Sequence, residues 1–173
     1  MESTKKKLAI VTGAARGIGL ATAKLFSQND YKVAIVDRDK NELSNLSLAN
    51  NSMKSFCYDI SDFNNVDMMY QEILEWHDRV DVLVNNAGVA DFGSIEMTDF
   101  NRWNEVMKTN LDGAFMCSQK AINYLKTTKG SIINIASISG LRASTLRVAY
   151  GTSKAAIIQL TKQQAAELGE YGI

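Results

Sequence analysis

Ser137, Tyr150 and Lys154 carry the strongest chemical signal in this sequence. Tyr150 and Lys154 stand four residues apart at the start of a helix that the pattern predicts over Tyr150–Glu170, so their side chains share one face. An ammonium beside a phenol favours the phenolate and draws the Tyr pKa from about 10 toward neutrality. That makes the Tyr a usable general acid or base for an alcohol or carbonyl. Ser137 ends a predicted strand, Gly130–Ala136, and is placed to hold a substrate oxygen. A Tyr-x-x-x-Lys pair arises by accident in many chains, but only one of the six tyrosines here has it.

A second group of residues suits a nucleotide. Thr12-Gly-Ala-Ala-Arg-Gly-Ile-Gly19 lies between a predicted strand and a predicted helix. Glycines there permit a tight turn, let backbone N–H groups reach a pyrophosphate and bring the helix close to the sheet. Gly13, Arg16, Gly17, Ile18 and Gly19 are the candidates in this loop, against the plainer reading of a ligand-free turn. Asp37 ends the second strand, 24 residues after Gly13. An acid there can bind both adenosine ribose hydroxyls and repel a 2′-phosphate. The alternative role for Asp37 is to cap the next helix, and the adjacent Arg38 could pair with a phosphate instead. Asp59 and Ile60 follow the third strand, and Asn85-Asn86-Ala87-Gly88 follows the fourth. Both lie where strand ends open onto the ligand side of a doubly wound sheet, although Asn and Gly also suit ordinary turns.

These residues need a scaffold, and the apolar runs supply one. Lys7–Thr12, Lys32–Asp37, Met53–Tyr58, Val80–Val84 and Gly130–Ala136 read as buried strands. Helical spacing covers Ile18–Gln28, with Ile18, Ala21, Leu25 and Phe26 on one side, then Asp39–Ala49, Asp62–Trp76 and Phe100–Leu125. The stripe of Trp103, Met107 and Phe115 reads as core. Strands alternating with helices imply parallel pairing through right-handed crossovers. The fold class is α/β, a Rossmann-like doubly wound sheet in three layers, with five strands in the order 3-2-1-4-5.

Composition excludes several other classes. The 173 residues suit one domain, and 46% hydrophobic with 22% charged residues is ordinary for a globular protein. Lys plus Arg balance Asp plus Glu at 19 each, so no electrostatic footprint for nucleic acid is expected. No apolar run approaches the roughly 18 residues of a membrane span, and the polar start reads as no signal peptide. Cys57 and Cys117 form no Cys-x-x-Cys and His77 is the only His, so no metal site is expected. The expected setting is the reducing cytoplasm. His77 reads as a surface residue, Cys117 as packing, and Lys5 to Lys7 as a solvated end. The chain has no Pro, where average usage of about 5% would give roughly eight or nine.

Together these residues resemble the short-chain dehydrogenase/reductase family over essentially the whole chain. Its Thr-Gly-x-x-x-Gly-x-Gly fingerprint appears as Thr12, Gly13, Gly17 and Gly19, and its Asn-Asn-Ala-Gly element as Asn85 to Gly88. The resemblance implies a catalytic tetrad of Asn110, Ser137, Tyr150 and Lys154. It implies cofactor contacts from Gly13, Arg16, Gly17, Ile18, Gly19, Asp37, Asp59, Ile60, Asn86, Ala87, Gly88, Tyr150 and Lys154. The implied reaction is hydride transfer between NAD, with NADP disfavoured, and a small alcohol or ketone. Tyr150 would move the proton, Ser137 would steady the oxyanion, and Lys154 would lower the Tyr150 pKa and bind the nicotinamide ribose. Asn110 would anchor a water linking Lys154 to solvent. The segment Leu141–Val148 would line one wall of the substrate pocket. A homodimer or homotetramer is implied through the helices Phe100–Leu125 and Tyr150–Glu170.

Family members continue with a sixth strand, a Pro-Gly segment, a substrate lid and a last strand. The chain therefore reads as a single dinucleotide-binding oxidoreductase domain over residues 1–173, incomplete at its C-terminus. Strand five would then be an open edge, prone to aggregation if these residues were expressed alone. A second reading is a catalytically inactive nucleotide-binding or subunit-interaction fragment. Whether the coding frame continues past Ile173 discriminates the two.

Overall fold

A computed structural model describes residues 5–48 and 51–173. In chain order the elements are β1 (Leu8–Thr12), α1 (Gly17–Gln28), β2 (Lys32–Asp37), α2 (Lys40–Ser44), β3 (Met53–Cys57) and α3 (Phe63–Trp76). They continue with β4 (Val82–Asn85), α4 (Phe100–Met107), α5 (Gly113–Thr128), β5 (Ser131–Asn134) and α6 (Val148–Leu168). The sheet is parallel throughout, with the order β3-β2-β1-β4-β5 that the sequence predicts.

β1 lies at the centre, its five residues all buried, with Ile10 registered against Ala34 on one side and Leu83 on the other. Period-two alternation sends its side chains to two cores. Leu8 and Ile10 join Met69 and Ile73 of α3 and Cys117 and Leu125 of α5. Ala9 and Val11 join Ala23 of α1, Leu43 of α2, Val33 and Ile35. Three layers result, and every strand ends at the same rim. β5 stands at one edge of the described sheet, with Ile133 exposed.

Several expectations need correction. Of the apolar side of α1, Ile18, Ala21 and Leu25 are exposed, and only Phe26 packs, partly buried, against the core. Gly19 and Ala23 are the buried positions, while Ile18 is 68% and Leu25 61% exposed. The cause is distance: a Cβ on Gly19 would run into the Gly13 carbonyl and the Asn86 side chain. The helix lies too close to the sheet for branched side chains.

α2 is shorter than the predicted Asp39–Ala49. Asp39 caps it by accepting from the backbone N–H groups of Asn41 and Glu42, and it stops at Ser44, while Ala49 lies outside the described residues. The predicted helix Phe100–Leu125 is interrupted by a π-helical turn at Lys108–Asp112, which buries Thr109 and Asn110. Gly113 after it sits against Ile60 with no room for a Cβ. Phe115 is 48% exposed and so is not core; Trp103 is only half-buried. His77 is buried rather than superficial, its Nε2 2.7 Å from the Lys6 carbonyl. Lys5 and Lys6 pair with Asp78 and Asp30. Cys117 is packing, and burial pushes its thiol up to about 12. Among the described residues no helix is long and apolar enough to cross a membrane.

Candidate active site and nucleotide cleft

The loop after β1 is shaped by β4. Thr12 Oγ1 accepts from the backbone N–H groups of Asn86 and Ala87, both at 3.1 Å. The Asn86 amide donates to the carbonyls of Thr12 at 2.9 Å and Gly13 at 3.0 Å. Gly13 takes a left-handed φ of 62°, and a Cβ there would sit 2.6 Å from the Ala87 Cα. Only glycine satisfies both conditions. α1 then starts at Gly17 with no side-chain cap and no acid in its first turn. Its free N–H groups and positive end are suited to an anion.

A cleft of about 190 Å³ opens over this loop. Gly13, Arg16, Asp37, Asp59, Ile60, Asn86, Ala87 and Gly88 line it, together with Val36, Arg38, Tyr58, Val89 and Thr109. The structure thus gathers most of the predicted nucleotide residues. Gly17, Ile18, Gly19, Tyr150 and Lys154 are not in its lining: the first two are exposed at the helix start, Gly19 is buried beneath the loop, and the last two belong to α6.

Asp37 sits where β2 ends. Its carboxylate accepts from the N–H groups of Ala15 and Asp39, each at 3.1 Å. A carboxylate has about four acceptor sites, so two remain for other donors. Capping of α2 falls to Asp39 instead. Arg38 is held by Asp59 at 3.4 Å and Glu105 at 3.8 Å. Burial pushes the Asp59 carboxyl up, but hydrogen bonds from Ser61 and the Arg38 charge outweigh it and hold the group below its ordinary value.

Sequence reasoning missed Thr109. Its Oγ1 is buried in the cleft lining with no hydrogen-bond partner among the described residues. A buried hydroxyl left unpaired is costly, so this atom is positioned for a bound molecule to satisfy. Together with the Gly13 cradle and the uncapped helix, it makes the cleft fit a dinucleotide. The available signal was its position beside Asn110 in a helix that must widen there.

Of the catalytic candidates, Lys154 and Asn110 lie behind Gly88 of the cleft wall and Tyr150 stands beside Lys154. Lys154 is 5% exposed, and its Nζ donates to the Ile135 carbonyl at 2.6 Å. Desolvation lowers its pKa from the usual lysine value. The Tyr150 ring centroid lies 5.8 Å from that Nζ, and the Tyr150 hydroxyl has no hydrogen-bond partner among the described residues. A Cβ on Gly88, in the cleft wall, would be 3.6 Å from Lys154 Nζ and 3.3 Å from Asn110 Oδ1. Cleft, Lys154 and Asn110 therefore converge on one point.

Asn110 sits in the π-helical turn and clamps the chain after Gly88. Its Oδ1 accepts from Val89 N–H at 2.8 Å, and its Nδ2 donates to the Val89 carbonyl at 2.9 Å and to Ser153 Oγ at 3.0 Å. One Oδ1 lone pair remains for a water. Ser137 precedes a single helical turn (Ile138–Gly140), and its Oγ accepts from Ser139 N–H at 3.2 Å. Its hydroxyl hydrogen is left to donate elsewhere. Gly140 presses so closely on Lys154 that a Cβ would lie 2.5 Å from the lysine carbonyl carbon. The Ser137 turn is thus seated directly on the helical turn that carries Lys154. Among the described residues no group of three or more His, Cys, Asp or Glu side chains could hold a metal ion.

Comparison with known proteins agrees with this architecture. The short chain dehydrogenase family model matches residues 7–173. The chain is 35% identical over 169 residues to meso-2,3-butanediol dehydrogenase of Serratia marcescens, covering 96% of this chain and 67% of that protein. It is also 35% identical over 173 residues to a 3-oxoacyl-[acyl-carrier-protein] reductase of Staphylococcus aureus, 96% of this chain and 70% of that one. A crystal structure of a short-chain dehydrogenase from Streptomyces avermitilis superposes with a TM-score of 0.93 at 29% identity, over 99% of this chain and 64% of that one. A 3-ketoacyl-(acyl-carrier-protein) reductase from Brucella melitensis, complexed with NADH, gives the same TM-score and identity and is 74% covered. The chain thus spans about two thirds to three quarters of these relatives. With its sheet order, its clamped glycine loop and its Tyr150–Lys154 helix, it belongs to the short-chain dehydrogenase family.

Proposed function

We propose that this chain carries the nucleotide site and the proton-transfer residues of an NAD(H)-dependent oxidoreductase acting on a small alcohol or ketone. The observation that carries the reading is the convergence of Lys154 Nζ on Gly88 of the nucleotide cleft and on the Tyr150 ring. The NADH-bound relative and the butanediol dehydrogenase support it.

When bound, the nicotinamide supplies or accepts the hydride. Gly13 and the first turn of α1 cradle the pyrophosphate, and Asp37 takes the adenosine ribose. Asp59, Ile60, Asn86 and Ala87 flank the adenosine half. Tyr150 gives its phenolic proton to the carbonyl oxygen on reduction and takes the alcohol proton on oxidation. The buried Lys154 ammonium stands beside the Tyr150 ring, and Ser137 donates a hydrogen bond to the developing oxyanion. Asn110 holds the Gly88–Val89 backbone against α6 so that these distances persist. The same reading places the protein in the cytoplasm, where the free thiols Cys57 and Cys117 stay reduced. No observation favours the alternative of an inactive fragment.

Tyr150→Phe in the full-length protein tests the assignment. Turnover should fall by about 10²–10⁴-fold, the usual contribution of general acid–base catalysis, with NAD(H) binding nearly intact. A variant retaining most of the wild-type rate would show that another group moves the proton.

A further inference from the structure

The loop before Tyr150 holds a cation that the reaction as described does not use. Arg147 is the residue preceding α6, three positions before Tyr150. Its guanidinium carbon lies 4.0 Å from the ring centroid of Phe92 and 5.4 Å from that of Tyr150. Arg16, Arg38, Arg79 and Arg102 each hold a carboxylate. Arg147 holds none among the described residues, although it is half-buried. The nearby Asp91 is already bound to Arg102 at 2.8 Å, and the first turn of α6 contains no acid.

The placement of Arg147 is enforced by the backbone. Leu146 adopts a left-handed φ of 59°, a conformation uncommon for a non-glycine residue that persists only where surrounding structure imposes it. Gly93 N–H donates to the Leu146 carbonyl at 3.2 Å, and Gly93 pairs with Arg147 as an isolated parallel bridge. The loop after β4 and the loop after β5 are thereby clipped together, with Arg147 stacked on Phe92. A guanidinium stacked by its face keeps its N–H donors at the edge, in the plane that a carboxylate engages.

We propose that Arg147 is the carboxylate-binding residue of the substrate site, so that the substrate is a short oxo acid or hydroxy acid. The guanidinium carbon lies 5.4 Å from the Tyr150 ring centroid, so one small molecule would carry both the carboxylate and the carbonyl. Arg147 then orients the carbonyl toward Tyr150 and selects against neutral ketones of the same size. The proposal rests on the oxidoreductase reading given above and deepens it.

Two measurements test it separately from that reading. The first compares kcat/KM with NADH for acetoacetate and for its neutral methyl ester in the full-length protein. Wild type should favour the acid by about tenfold or more, the scale of a charge-assisted hydrogen-bonded pair. Arg147→Met should bring the ratio to about one, and Arg147→Lys should restore part of the preference. Lys162→Met, which removes an exposed cation of α6, should leave the ratio unchanged. The second measurement needs no turnover: calorimetric titration of the Tyr150→Phe protein with butanoate and with butanamide. Butanoate should bind about tenfold tighter, and Arg147→Met in that background should remove the difference. Equal binding of the two probes, or a ratio insensitive to Arg147, overturns the proposal. Butanoate selectivity dependent on Arg147 in a protein that turns over neither ketone supports the anion site and sinks the oxidoreductase reading alone.

Discussion

Asn110→Ala should destabilise the protein measurably by freeing the Val89 backbone at the cleft wall and its tie to Ser153. Asn110 is 2% exposed and makes three hydrogen bonds, at 2.8 Å and 2.9 Å to the Val89 backbone and 3.0 Å to Ser153 Oγ. A net hydrogen bond contributes about 0.5–1.5 kcal/mol, so three give roughly 1.5–4.5 kcal/mol. Val89 is only half-buried, and water can replace part of what it loses. Ser153 is fully buried and cannot be rescued in that way. A loss of about 3 kcal/mol follows, and at about 2–4 °C per kcal/mol for a chain of this size Tm should fall by about 6–12 °C. Thermal unfolding followed by circular dichroism measures it.

A double-mutant cycle with Ser153→Ala isolates the Asn110–Ser153 contact. Its coupling should be about 1 kcal/mol, because the two side chains touch and share a network. A Tm within about 2 °C of wild type for Asn110→Ala, or strict additivity with Ser153→Ala, would refute the clamp. Asn110 would then merely fill space in the π-helical turn.

Gly13→Ala and Gly17→Ala should separate two costs that sequence cannot distinguish. Both positions have positive φ, costing about 1–2 kcal/mol for an L residue, but only at Gly13 would the new Cβ meet backbone, 2.6 Å from Ala87 Cα. Gly17→Ala should therefore lower Tm by about 2–8 °C and keep cofactor binding in calorimetric titration, whereas Gly13→Ala should melt lower still and lose it; equal behaviour would contradict the steric account. Asp37→Ala should narrow the difference between NAD and NADP affinities, since the wild-type carboxylate repels a 2′-phosphate. Tighter NADP than NAD binding by the wild-type protein would show that Arg38 governs that site despite its pairing with Asp59 and Glu105.

The strand order and three layers were legible because uninterrupted apolar runs such as KVAIVD can be satisfied only between two covered faces. Most of the cleft was legible because glycine spacing reports backbone conformation directly. What escaped was set by close approach or by distant partners. α1 buries Gly19 and Ala23, which no hydrophobicity stripe selects, since their virtue is small size rather than apolar area. The π-helical turn depends on what Asn110 and Gly113 meet, namely Val89, Ser153 and Ile60, contacts invisible in local helical periodicity. His77 is buried because Lys6, 71 residues away, brings a carbonyl to its ring. Arg147 reads as one more loop cation until Gly93 and Phe92 are known to lie beside it.

One hydrogen-bonded path joins the two halves of the site. Thr12 Oγ1 holds the N–H groups of Asn86 and Ala87, two residues on Asn110 holds both backbone groups of Val89, and the same Asn110 donates to Ser153. Ser153 Oγ in turn donates to the Tyr150 carbonyl at 2.8 Å. The glycine loop and the catalytic helix are thus referenced to the end of β4 by polar bonds of defined length. Apolar contacts tolerate sliding, whereas hydrogen bonds weaken steeply with misalignment. A proton donor that must sit within hydrogen-bond reach of a substrate held against a separate cofactor needs the second kind of tether. The loop Leu141–Arg147 lies outside this path, although its Arg147 carbonyl accepts from Gly151 N–H at 2.7 Å and its Leu146 carbonyl from Gly93 N–H at 3.2 Å. On the proposed reading, changes in the exposed stretch 141–145, which makes neither contact, would alter which substrate is received at least cost to the Tyr150 geometry.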